Sequence, residues 1–125
     1  MIFADYVYVD DYGKSNFELI KKLIEKNKKY IEKSFYVVIL NEYSSKLEFE
    51  DYLFIMQGHY KKRPPIIVGI AKDYNSAEKL VCSMIKLCLN KVGSLDYISY
   101  LASLPAINEE DKPKLLHVSG GMIDD

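Results

Sequence analysis

The sequence predicts an α+β fold in which a central mixed sheet of about four strands is flanked by two or three helices. Two continuous apolar runs rich in β-branched residues, 34–40 and 66–71, are typical of strands covered on both faces. Two longer segments, 15–33 and 75–92, repeat apolar residues at the helical period. The chain has 125 residues, 49% of them hydrophobic and 28% charged, which is enough for one hydrophobic core.

The first part of the chain predicts a strand, a helix and a second strand. Residues 3–9 partly alternate and are rich in valine and tyrosine, which favours a strand. Ser15 followed by Glu18 has the form of a capping box, so we expect a helix to begin there and to run to about Lys33. The continuous apolar run of residues 34–40 then predicts an interior strand.

Residues 46–57 fit two assignments. Apolar residues at helical spacing follow Ser45 and Glu48, a second possible capping box, and indicate a helix. The run DYLFIM, residues 51–56, also has the composition of a short buried strand, and Gly58 closes it. We favour the strand. A helix over this segment would give an alternating α/β three-layer sandwich instead.

The strand at residues 66–71 contains Gly69, which indicates the close approach of a neighbouring element. A second helix is predicted from Asn75 to Gly93. Its apolar residues cover well over half of its circumference, so one sheet face cannot shelter them all and a further covering surface is expected. These residues are Leu80, Val81, Cys82, Met84, Ile85, Leu87, Cys88, Leu89 and Val92.

The C-terminal part of the chain divides into a short helix and a tail. Residues 94–104 predict a third helix that would cover part of the second one. We therefore expect one globular domain over residues 1–104. Residues 105–125 are polar, acidic and interrupted by proline and glycine, and we expect them to form a C-terminal tail whose one apolar point lies between Leu115 and Val118.

Composition restricts the partners and the location. A net charge of -1 gives no overall attraction to nucleic acid or to an anionic membrane, so neither is an expected partner. The sequence has no long apolar span and no basic, apolar start of a signal peptide, which predicts a cytoplasmic protein. Cys82 and Cys88 are too far apart along a helix for a disulfide and are expected to be buried thiols. Arg63 is the only arginine among 17 basic residues, a low-GC, bacterial-like composition.

An adjacent acid pair, Asp10 and Asp11, follows the first strand. The stretch VYVDDYGKSNFELIKKLIE resembles the opening of a response-regulator receiver domain, and YVDD resembles the acidic motif of reverse-transcriptase palms. A receiver also requires a phosphoacceptor aspartate where this chain has Met56 and Gln57, and a palm requires a further aspartate on a preceding strand. We therefore assign neither family, and expect the pair to end the strand near the positive end of the first helix.

A magnesium site is the alternative interpretation of the acid pair. If the strands are parallel, Asp10, Asp11, Glu42 and Asp73 gather at one edge of the sheet, where α/β proteins bind ligands. Carboxylate oxygens are suitable ligands for Mg²⁺. The pair alone does not define such a site, so no metal is assigned.

The basic loop GHYKKRPP, residues 58–65, is the predicted ligand-binding site. Positively charged side chains lie beside a tyrosine there, so a phosphate, a carboxylate or a nucleic-acid backbone is the expected kind of ligand. The simpler interpretation is a solvated turn between strands. The residues assigned to ligand binding are His59, Tyr60, Lys62 and Arg63.

No catalytic residue and no cofactor is assigned, since neither histidine lies in a motif with a serine or cysteine nucleophile. We expect a non-enzymatic binding or regulatory module that self-associates. The predicted partner is a second copy, contacted through the helix at 75–92, or another protein. The alternative is a small enzyme or a phospholigand or nucleotide sensor that uses the loop at 58–63.

Overall fold

The computed structural model describes residues 1–28, 31–59, 64–119 and 122–124, with side chains omitted for 58, 59 and 122–124. A six-stranded mixed sheet forms its centre. The strands are β1 (Ile2–Val9), β2 (Tyr36–Asn41), β3 (Lys46–Asp51), β4 (Ile66–Ala71), β5 (Lys114–Ser119) and β6 (Met122–Asp124). Their order in the sheet is β3-β2-β4-β1-β5-β6. Neighbours β4, β1 and β5 are parallel to one another, whereas β2, β3 and β6 join by antiparallel pairing.

Helices cover both faces of this sheet. The α-helices are α1 (Asp11–Glu25), α2 (Tyr52–Phe54), α3 (Tyr74–Val92) and α4 (Tyr97–Ala102), and a 3₁₀ turn spans Glu109–Asp111. One face carries α1 and α2, and α2 continues into a single π-helical turn at Ile55–His59. The other face carries α3 and α4. The predicted α+β class with a mixed, helix-flanked sheet is confirmed, and the sheet has six strands where about four were expected.

Helix α1 begins and ends earlier than predicted. Asp10 is its N-cap and accepts a hydrogen bond from the backbone N–H of Gly13, so this cap precedes the predicted box at Ser15. The helix stops because Asn27 adopts a left-handed conformation, with φ of 51°. The Lys28 N–H then donates to the Leu23 carbonyl at 3.0 Å, which is the pattern of a Schellman motif.

Residues 46–57 are strand in their first half and helical in their second. β3 pairs with β2 as a hairpin, so the strand lies before the predicted run 51–56 and ends at Asp51. Tyr52 explains the change, because its ring is fully buried and stacks on Phe35 at a centroid distance of 4.7 Å. A helical turn places that ring in the core on the α1 face.

The C-terminal segment contributes to the sheet, contrary to the expectation of a tail over 105–125. β5 lies between β1 and β6, with Val7 opposite Leu115 in the parallel pair. Leu116 and Val118 are buried in the core on the α3 face. Their alternation is the period of a strand, and the core of the sheet extends as far as Ser119.

The broad apolar arc of α3 is largely covered within the chain. Its buried residues face the sheet, and α4 supplies Tyr97 and Tyr100 to the same core cluster. Cys82 and Leu89 stay exposed. The close approach predicted at Gly69 is confirmed, because a Cβ atom built there would lie 2.9 Å from Val38 Cγ2.

Helix α3 ends as predicted, with Gly93 in a left-handed conformation (φ 74°), but its N-cap is Asp73, ahead of the expected Asn75. The predicted third helix is confirmed as α4, within residues 94–104. Among the described residues, no helix combines the length and the apolarity needed to cross a bilayer.

Candidate functional site

An open groove of about 1110 Å³ lies where β4, β1 and β5 end. The first turns of α1 form one side, and the solvent side of α3 forms the other. Val118 and Ser119, at the end of β5, also line it. The carboxyl ends of parallel strands are a common position for ligand sites, because the helices that follow begin there.

Asp10 holds this end of the sheet together. Its Oδ1 accepts a hydrogen bond from the Gly13 N–H at 2.7 Å, and its Oδ2 accepts one from the Lys72 N–H at 2.9 Å. One carboxylate therefore joins the start of α1 to the loop between β4 and α3. As expected, Asp10 ends the first strand beside the first helix, and both of its oxygens already have backbone donors.

Asp11 pairs with a residue that the sequence analysis placed in the tail. Its Oδ1 lies 2.5 Å from Nε2 of His117, on β5. The His117 side chain is only 14% exposed, whereas that of Asp11 is 79% exposed. The pair ties the first turn of α1 to the last strand of the parallel set.

The proposed gathering of four carboxylates at one edge is wrong for Glu42. Because β2 runs antiparallel to β4, it ends beside the start of β4. Glu42, which follows β2, therefore lies at the opposite end of the strands from the groove. Asp73 does lie at the groove edge, where it caps α3 by accepting from the Ser76 N–H at 2.9 Å. Over the described part of the chain, no three metal-ligating side chains are grouped suitably for an ion.

Hydrogen bonds from Ser76 hold the pKa of Asp73 below its ordinary value, and the charges of Lys72 and Lys33 lower it further. Asp73 is thus an ionised cap at the margin of the groove at neutral pH.

Four lysines line the groove: Lys33, Lys72, Lys79 and Lys86. None of them forms an ion pair within 4.0 Å with another described residue. Of the lining carboxylates, Asp10 and Asp11 are held by hydrogen bonds within the fold, and Glu78 is the third. The groups available to a ligand are therefore the four ammonium groups and the lining hydroxyl groups, with the exposed carboxylates of Asp11 and Glu78 beside them.

The two cysteines differ in exposure. Cys82 lines the groove and is exposed, contrary to the expectation that both thiols are buried. Cys88 is buried as predicted, its sulfur lies 3.2 Å from the Ser94 carbonyl oxygen, and burial raises the pKa of its thiol. Cys82 is thus a chemical reporter inside the groove, and Cys88 is its internal control.

The predicted ligand-binding residues fall outside what the structure describes. Tyr60, Lys62 and Arg63 belong to the omitted segment 60–63, and the side chain of His59 is also outside the described set. The next strand, β4, begins at the opposite edge of the sheet from the groove, since Ile2 and Ile66 are register partners. The sequence analysis did not single out the groove lysines.

Comparison of the chain with protein-family models, with curated proteins and with solved structures found no match. Only the geometry and chemistry of the chain itself therefore bear on its function.

Proposed function

We propose that this chain is a non-enzymatic binding module that holds an anionic, phosphate-bearing ligand in the groove at the carboxyl ends of β4, β1 and β5. The convergence of four lysines without described ion-pair partners carries this proposal. Asp10, Asp11 and Glu78 also line the groove, so its excess of positive charge is small, and the attraction comes from ammonium groups that no described carboxylate pairs within 4.0 Å. The chain's net charge of -1 makes this attraction local to the groove.

The lysines supply the attraction, and the helix ends contribute less. Free backbone N–H groups at a helix N-terminus attract anions. Here Asp10 already occupies the cap of α1 and Asp73 that of α3, and each brings its own negative charge. A ligand at this edge therefore has to be recognised by flexible ammonium groups, which suit phosphate oxygens as point charges.

We place this function in the cytoplasm. Cys82 and Cys88 are both free, and Cys82 is exposed. Free thiols persist in a reducing compartment.

Replacing Lys79 and Lys86 together by glutamine is expected to weaken binding of inorganic pyrophosphate by about 5- to 30-fold, because each exposed ion pair contributes up to about 1 kcal/mol. The measurement is the alkylation rate of Cys82 by iodoacetamide, titrated with pyrophosphate. Bound ligand should shield the Cys82 thiol, whereas buried Cys88 reports any general unfolding.

The control is Lys91→Gln, which removes one positive charge from an exposed position on α3 outside the groove lining and is compared with each single variant, Lys79→Gln and Lys86→Gln. Its pyrophosphate titration should match that of the parent protein. An alkylation rate of Cys82 that no phosphate compound changes would show that the groove does not bind these anions.

Self-association is the second candidate function, and apolar exposure at the corner between α3 and α4 favours it. Three large apolar side chains that are close together in the chain are exposed there. Their exposed fractions are 43% for Leu89, 46% for Leu95 and 42% for Ile98. Because α4 already covers much of the apolar arc, this corner is what is left for a second copy.

Light scattering at micromolar concentration should give about twice the chain mass of 14.5 kDa. Ile98→Glu should return the mass to that of one chain, because a buried, unpaired carboxylate opposes contact. Glu78→Gln, a change at an exposed position elsewhere on the surface, should leave the dimer intact. If the parent protein still has the mass of a single chain at high micromolar concentration, self-association is contradicted.

A further inference from the structure

The lysines along one side of the groove recur every seven residues, at Lys72, Lys79 and Lys86. Seven residues are almost two helical turns, so Lys79 and Lys86 lie on nearly the same side of α3, about 10 Å apart along its axis. Lys72 directly precedes the N-cap Asp73 and lines the same groove. The row therefore extends over about 20 Å.

Small side chains and one carboxylate lie between the charges of this row. The groove-lining residues there include Ser76, Glu78, Cys82 and Ser83. The Ser83 hydroxyl donates to the Lys79 carbonyl oxygen at 3.2 Å, so it is used within the helix. The ammonium groups are thus the dominant donors of the row.

The length of the row argues against one compact anion. The open groove, at about 1110 Å³, is close to the upper end of the range for pockets that hold drug-sized ligands, about 300–1,000 Å³, so its volume admits an extended ligand. A single phosphate held by one ammonium group would leave the next lysine of the helix about 10 Å away. A ligand that uses the whole row has to carry negative charges along its length.

We propose that the ligand is a linear chain of phosphate groups laid along Lys72, Lys79 and Lys86. This inference rests on the proposed function and specifies the shape of its ligand. A phosphate chain offers hydrogen-bond acceptors along its length, which matches a row of donors. An acidic peptide also brings backbone N–H donors; Asp10 is already engaged through both oxygens, so among the lining carboxylates only Asp11 and Glu78 could accept them. Inorganic polyphosphate and the backbone of single-stranded nucleic acid share this phosphate-chain chemistry.

The test compares ligands of increasing length on the full chain by protection of Cys82 at equal total phosphate concentration. Pyrophosphate, tripolyphosphate, long-chain polyphosphate and an oligothymidylate are the phosphate probes, and polyglutamate is the peptide probe. We expect the apparent Kd to fall about 100-fold from pyrophosphate to a chain that spans the row, because linked contacts act at high effective concentration. Whichever long phosphate chain binds more tightly identifies the source.

Salt dependence gives a second readout. Three phosphate contacts predict a slope of about -2 in log K against log salt for a single strand, and Lys79→Gln should reduce its size by about 0.7. Lys91→Gln should leave the slope unchanged.

Equal affinity for pyrophosphate and the long chains would overturn the linear ligand while leaving the groove an anion site. Tighter binding of polyglutamate would overturn it in favour of a peptide. Failure of every anion to protect Cys82 would remove the proposed function as well.

Discussion

Replacing Asp10 by alanine is expected to lower the free energy of unfolding by about 2.5–4 kcal/mol. Loss of an N-cap typically costs about 1 kcal/mol. The same change leaves the Lys72 N–H without its carboxylate acceptor, and hydrogen bonds to charged groups contribute about 1.5–3 kcal/mol each. Urea unfolding should show a lower midpoint with an unchanged slope.

Two variants separate this role from charge alone. Asp11→Ala removes the neighbouring carboxylate and its contact with His117, and for an exposed acid this should cost at most about 1 kcal/mol. Asp10→Asn keeps one acceptor oxygen for a cap but places an amide nitrogen near a backbone N–H. Its decrease in the free energy of unfolding should therefore lie between those of Asp10→Ala and Asp11→Ala. Equal losses for Asp10→Ala and Asp11→Ala would contradict the bridging role. A magnesium-dependent rise in the midpoint that Asp10→Asn abolishes would instead identify a metal site.

Elements defined by local patterns could be predicted well. The apolar runs at 34–40 and 66–71 became β2 and β4, because a strand covered on both faces has no polar alternation to obscure it. The end of α3 at Gly93 follows from a local backbone requirement that glycine meets most easily. Each of these signals lies within a few residues of the structure that it specifies.

Elements defined by distant pairing could not be predicted in this way. β5 is a short strand whose apolar residues lie in polar, proline-containing surroundings, and its position depends on β1, more than 100 residues away. Within residues 46–57, the burial of Tyr52 against Phe35 overrides the local strand preference of the run 51–56. Tertiary packing decided both cases.

The groove combines both kinds of information. The seven-residue spacing of Lys72, Lys79 and Lys86 is visible in the sequence, but the solvated side of any helix can show the same spacing. What distinguishes these lysines is their position beside the carboxyl ends of parallel strands, which depends on the pairing of β1 with β4 and β5. Asp11 and His117 show the same limit, since 106 positions separate them in the chain.

Gly13→Ala is expected to lower the free energy of unfolding by about 1–3 kcal/mol, although Gly13 lies within α1, where alanine is the better helix former. Helix propensity alone predicts a gain of about 0.5–1 kcal/mol. A Cβ atom at this position would lie 2.9 Å from the Ile70 carbonyl oxygen and 3.0 Å from Val9 Cβ. The oxygen belongs to the backbone of a central strand, so relief requires α1 to move away from the sheet.

The sign of the effect is therefore decided by packing between α1 and β4. Lys14→Ala, at the next and exposed position of the same helix, should change stability by less than about 0.5 kcal/mol. Movement of α1 would also displace the first turn that lines the groove. Gly13→Ala should therefore reduce the protection of Cys82 by bound ligand as well as the stability of the protein. An increase in the stability of Gly13→Ala would show that the start of α1 can accommodate a Cβ atom beside β4. It would also show that packing on β4 does not fix the position of α1 at the groove.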